Sequence, residues 1–154
     1  MFTTYPKGQS SMGCTQDVDK AIELCLRAGE LGSADSYHHL GNLYSNRYVT
    51  GYWDVTKAKY YYSLAAIGGC PQARHSLGEI EKGSGNKQRA YKHFLIAARS
   101  GWEESLKELK LGYQEGLVTK DEYANALREC QTRRDEIKSD DRERALQICD
   151  LLHE

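Results

Sequence analysis

Three times along this 154-residue chain the same phrase opens a stretch of helical pattern. The copies are Asp17-Val18-Asp19-Lys20-Ala21, Asp54-Val55-Thr56-Lys57-Ala58 and Asn86-Lys87-Gln88-Arg89-Ala90. Each runs on to an ending of small residues and glycine, Ala28-Gly29-Glu30-Leu31-Gly32, Ala65-Ala66-Ile67-Gly68-Gly69 and Ala97-Ala98-Arg99-Ser100-Gly101. The segments that follow carry Leu40-Gly41, Leu77-Gly78 and Leu109-Lys110. Alanines 21, 58 and 90, glycines 32, 69 and 101, and leucines 40, 77 and 109 are all spaced 37 and then 32 residues apart. Three markers in one register define an internal repeat. A repeat of this length means stacked helical units, none of which buries its apolar face alone.

Each unit reads as two antiparallel helices. In the second of each pair, Ala21, Leu24, Cys25 and Ala28 fall at i, i+3, i+4 and i+7, as do Ala58, Tyr61, Tyr62 and Ala65, then Ala90, His93, Phe94 and Ala97. That spacing gives one apolar face with small residues at its ends, where a neighbouring backbone can come close. Asp17, Asp54 and Asn86 are placed to cap the first turn, and Gly32, Gly69 and Gly101 to end the helix in a left-handed conformation. The first helix of each unit is predicted over 34–45, 71–82 and 103–115, with Pro71 at a first-turn position. The change from 37 to 32 residues lies in one loop: Tyr44 to Ala58 is 14 residues, whereas Glu81 to Ala90 is nine.

This pattern resembles the Sel1-like repeat family, relatives of the tetratricopeptide repeat, over about residues 13–126. The resemblance rests on Leu40-Gly41-x-Leu43-Tyr44, Leu77-Gly78, the Asp-Val-x-Lys-Ala phrases and the Ala-Ala-x-x-Gly endings, with Tyr113-x-x-Gly116-x-Val118-Thr119 similar to the family's inter-helix turn. Lys110 departs from the pattern by replacing the glycine of the earlier pairs, and Gly85 precedes a turn without the usual valine. The resemblance implies an all-α fold, a right-handed α-α superhelix of antiparallel helix pairs. It also implies a scaffold or adaptor that binds a protein or peptide on its curved surface, and a class of protein not generally enzymatic.

Composition narrows the alternatives. Lys+Arg 21 against Asp+Glu 22 leaves a formal charge of -1, with no positive excess to attract nucleic acid or an anionic membrane. No apolar run approaches the roughly 20 residues of a membrane span. The first residues carry neither the basic nor the apolar stretch of a secretory signal, so the cytoplasm is the expected compartment, with the nucleus as alternative. Cys14, Cys25, Cys70, Cys130 and Cys149 have neither a disulfide framework's count nor zinc-ligand spacing. No cofactor or metal is expected. His38 and His75, one repeat apart, lack a third ligand.

Catalytic signals are sparse. Ser84-Gly85-Asn86-Lys87 matches the Ser-x-x-Lys of penicillin-recognising enzymes, but its companion boxes are absent and it falls in a turn. Gly78 to Gly83 has phosphate-loop spacing with Ser84 where lysine is required. No catalytic residue is assigned, and a serine hydrolase or penicillin-binding activity is the third reading. The second is an accessory subunit bound permanently to a larger enzyme.

The expected partner-binding residues form a polar row on the first helices. Asp35, His38, Asn42 and Ser45 correspond to Gln72, His75, Glu79 and Lys82, then to Glu104, Lys107, Leu111 and Gln114. His38, Asn42, His75, Glu79 and Lys107 are expected to project freely from it. A solvated helix face explains the same polarity. The competing surface is the long loop, where Tyr48, Tyr52 and Trp53 are either a contact patch or folded back on the helices beneath.

Three regions are expected: an irregular segment 1–16, the array 17–126, and a helical extension 127–154. Thr119-x-x-Glu122 is a capping box, after which no proline or glycine intervenes. One long helix, or two broken near Ser139-Asp140, both fit. The array opens on a second-type helix with no partner before it, so either the chain belongs to a longer array or this helix is an uncovered edge open to contact and oligomerisation. The alanine column also gives a test: Ala65→Leu should overpack a close helix contact and cost roughly 1–3 kcal/mol. A melting temperature unchanged within error would contradict the close approach.

Overall fold

The structure, a computed structural model, describes residues 11–48 and 51–152, with side chains from Gln16 onward. Among these residues there are seven α-helices and no strand: α1 (Ser11–Glu30), α2 (Ala34–Ser45), α3 (Val55–Ile67), α4 (Pro71–Gly83), α5 (Lys87–Arg99), α6 (Glu104–Gln114) and α7 (Lys120–Leu152). Every helix packs on its neighbours in sequence, and α7 reaches back to α5. The helix pairs thus stack in a line, as the repeat requires.

The helix ends show why the intervals recur. The Gly69 N–H donates to the Ala66 carbonyl at 3.2 Å and the Cys70 N–H to that of Ala65 at 3.0 Å. This double closure needs Gly69 at φ 91°, a region that costs a residue with a Cβ. Gly32 and Gly101 take the same conformation. At the other ends, the Asp54 carboxylate accepts from the Lys57 N–H at 3.0 Å, and Thr119 with Glu122 completes the expected capping box. Two caps differ from expectation. Asn86 makes no capping bond; its amide donates to Glu81 Oε2 at 3.1 Å. Asp17 lies inside α1, which starts at Ser11.

Of the expected irregular segment, residues 11–16 are therefore helical, and residues 1–10 lie outside the described residues. No proline interrupts 11–16, and a polar residue that could cap does not stop a helix that is already propagating.

The core is built from rings laid against glycines. On α2, the space where Gly41 would carry a Cβ is filled by the Tyr62 ring of α3. One repeat on, a Cβ at Gly78 of α4 would stand 2.5 Å from Phe94 of α5. A histidine one turn earlier flanks each ring, His38 at 5.8 Å from Tyr62 and His75 at 5.2 Å from Phe94, centroid to centroid. Ala58, Ala65, Ala90 and Ala97 are fully buried around these contacts. In the first copy the equivalent Ala21 is exposed, Ala28 is half-buried and the intervening Leu24 is 65% exposed, so the outer face of α1 is uncovered among the described residues.

Lys110 now has an explanation. The buried residue one repeat beyond Phe94 is Ala126, and with no ring to receive, α6 needs no glycine there. Its own close approach is at Gly112, where Tyr91 and Val118 occupy the Cβ space. Beyond it, α7 is one unbroken helix, with no break at Ser139-Asp140. Ala126 and Cys130 are buried on α7, but every side chain from Asp135 to Leu152 is exposed.

Candidate functional site

Packing has used much of the polar row that the sequence offers. His38 and His75 are half-buried because each lies on the ring that fills its neighbouring glycine. The Tyr62 hydroxyl donates to Asn42 Oδ1 at 2.8 Å, and His75 Nδ1 lies 2.8 Å from Ser105 Oγ. The expectation that His38 and His75 project freely is corrected: a solvated row and a helix-packing row coincide wherever the neighbouring helix presents an aromatic ring, whereas Asn42 stays exposed while accepting the Tyr62 bond. Glu79 and Lys107 are exposed.

The row also contains an ion pair that sequence spacing missed. Lys82 of α4 bonds Glu108 of α6, and this carboxylate raises the lysine's pKa. The exposed face between α4 and α6 is thus a mixed-charge strip of Glu79, Lys82, Glu108 and Lys107.

A second charge lies beneath the array's surface. Glu81 is 1% exposed, paired with Lys59 of α3 and accepting from Asn86 before α5. The Lys59 bond, helped by Asn86, holds its pKa below the usual carboxylate range despite opposing burial. Its column otherwise holds Tyr44 and Tyr113; a lone acid among tyrosines was the only signal that sequence gave.

On the long loop, Tyr52 and Trp53 separate. Tyr52 is half-buried and its hydroxyl donates to Asp19 Oδ1 of α1 at 2.6 Å, so it folds back. Trp53 stays 52% exposed and Tyr48 95%. The Arg47 guanidinium lies 5.7 Å from the Trp53 ring centroid, a cation–π distance. The Asp54 N–H donates to the Tyr44 carbonyl at 2.8 Å and fixes the loop's return. This gives an exposed aromatic on a loop bonded to α1 and α2.

The catalytic motif comes apart in space. Ser84 Oγ donates to the Ile80 carbonyl at 2.9 Å, and Lys87 pairs with Glu115 at 3.1 Å. The His75–Ser105 contact has the reach of a base and nucleophile, but Ser105 is fully buried, so a substrate has no access to its hydroxyl. Among the described residues, no three His, Cys, Asp or Glu side chains gather as a metal site, and no helix is long and apolar enough to cross a membrane.

The Sel1 repeat model matches four consecutive segments, residues 7–33, 34–70, 71–102 and 108–128. These matched segments span more than half of the chain, and the first two of their three inner boundaries fall at the starts of α2 and α4. The chain belongs to the Sel1 repeat family. No curated protein and no solved structure matches it significantly. Sel1 repeats are generally protein-interaction modules, and their helical fold is typically non-catalytic.

The buried titratable groups set an acid sensitivity. Burial, the largest cause for each, lowers the pKa of His38, His75 and His93. Below about pH 6.5 the unfolded chain takes up protons that these folded imidazoles resist, so stability falls. Glu81, with its folded pKa depressed, adds a further loss as pH drops below about 4.3 and through the folded value. Urea unfolding should show this decline from pH 7 to 4. Glu81→Gln should reduce stability at pH 7 by about 1–3 kcal/mol and flatten the acidic end. A profile flat over that range would contradict the assignment.

Proposed function

We propose that this chain is a non-catalytic scaffold or adaptor that holds a protein or peptide partner on the Trp53 loop and the first-helix strip. The observation that carries the reading is Trp53. A tryptophan 52% exposed beside Arg47, on a loop tied to α1 and α2, is a preorganised anchor of the kind that dominates interface energies. Glu79 and Lys107 supply exposed polar positions for orientation on the strip. Asn42 is a further exposed polar position, and the half-buried His38, His75 and Tyr52 support the helices and loop that carry this surface. Cys25, Cys70, Cys130 and Cys149 are free thiols, which suits the reducing cytoplasm or nucleus.

The second reading, an accessory subunit, is favoured by the open face of α1, where Leu24 meets no neighbour that covers it. A permanent mate would stabilise the chain by mass action. A chain purified alone that melts cooperatively would favour the adaptor.

Peptides selected on the wild-type chain from a displayed library provide the test. Trp53→Ala should weaken their binding about tenfold or more, corresponding to roughly 1.4–2 kcal/mol, with an unchanged melting temperature. Glu79→Lys combined with Lys107→Glu should alter selectivity for charged peptides. His75→Ala should instead lower the melting temperature. Affinity and selectivity unmoved by both surface variants would remove this site.

A further inference from the structure

The free half of α7 continues the face by which its first half is packed. Counting from buried Cys130, the side chains Arg134, Ile137, Asp141, Arg144, Ile148 and Leu151 recur at alternating steps of four and three residues. That is the spacing of a coiled-coil seam. Cys130 is covered by the array and Arg134 pairs with Glu103 at 3.1 Å. Beyond them, Ile137, Ile148 and Leu151 lie exposed on the same stripe.

The stripe is complementary to itself in one direction only. In parallel pairing Asp141 would meet the partner's Asp141 and Arg144 the partner's Arg144, placing like charges in the seam. In antiparallel pairing about an axis between Arg142 and Glu143, Ile137 faces the partner's Ile148. Asp141 then faces the partner's Arg144, and Arg134 faces the partner's Leu151. The flanking positions bring Lys138 beside the partner's Ala145 and Asp140 beside the partner's Gln147, so no like charges meet there either. Leu152 of each partner helix comes about level with Arg134, where the packed part of α7 begins. Within its own helix, Asp141 and Arg144 make only a loose pair at 3.9 Å and are both largely exposed, so both are available.

From this continuity and charge complementarity we infer that the free half of α7 is a dimerisation element, and that its occupant is the same segment of a second copy in antiparallel orientation. A charged pair at the centre of a seam weakens association but sets its register. The dimer would hold two repeat arrays at opposite ends of one short helical pair, so a bivalent partner could engage both.

Analytical ultracentrifugation of the full chain tests this. The wild type should pass from monomer to dimer mass as its concentration rises through the micromolar range. Ile148→Asp should remain monomeric with unchanged melting of the array. Asp141→Arg and Arg144→Asp should each raise the dissociation constant at least tenfold alone, whereas an equimolar mixture of the two should dimerise again, since each supplies the charge the other lacks. A wild type that stays monomeric to several hundred micromolar would overturn the inference. So would a dimer indifferent to all three substitutions, which would place the interface elsewhere.

Discussion

The close approach of consecutive helices depends on an aromatic ring resting where a glycine has no side chain. Tyr62 against Gly41 and Phe94 against Gly78 bring a second-type helix onto the preceding first-type helix at a separation that a Cβ would forbid. Fully buried alanines on the same helices complete the contact. Since protein interiors are close-packed, displacing one ring would disturb the whole layer. The histidine one turn before each glycine lies against the same ring, so His-x-x-Gly recurs as its seat on successive units.

That constraint decides which side chains are left for recognition. Residues lying on a ring are drawn into packing, as His38 and His75 are, and the polar residues a turn further along remain exposed, as Asn42 and Glu79 do. It also separates the array from its two ends. Where the ring gives way to Ala126, the glycine gives way to Lys110, and α7 then leaves the array as a free helix. At the opposite end α1 has no helix on its outer face among the described residues. Insertion is tolerated where the chain crosses outside the stack, so the longer unit spends its extra residues on the loop that presents Trp53.

Much of this architecture was legible because it is periodic. The glycines at 32, 69 and 101, the alanine columns and the start of each first helix from Ala34 and Pro71 follow from spacing and local chemistry. What did not follow was contact between units. Sequence periodicity says that His75 lies on a polar face, not that Phe94 and Ser105 converge on it from two other helices. Glu81 was similarly hidden, because its partners Lys59 and Asn86 come from either side in sequence. The N-terminus of α1 was misplaced for a different reason: an aspartate that can cap a helix can equally sit within one. The loop's division into an anchoring Tyr52 and an exposed Trp53 depends on Asp19, far away in the chain.

The ring-on-glycine account is tested most directly by chemical denaturation of Gly78→Ala beside Gly83→Ala. Both residues lie in α4, where alanine is intrinsically the better helix former. A Cβ at Gly83 meets nothing within 4 Å, whereas one at Gly78 would stand 2.5 Å from Phe94. The account predicts opposite signs: Gly83→Ala neutral or slightly stabilising, and Gly78→Ala destabilising by more than about 1 kcal/mol through overpacking. A Gly78→Ala chain as stable as the wild type, or more stable, would contradict it.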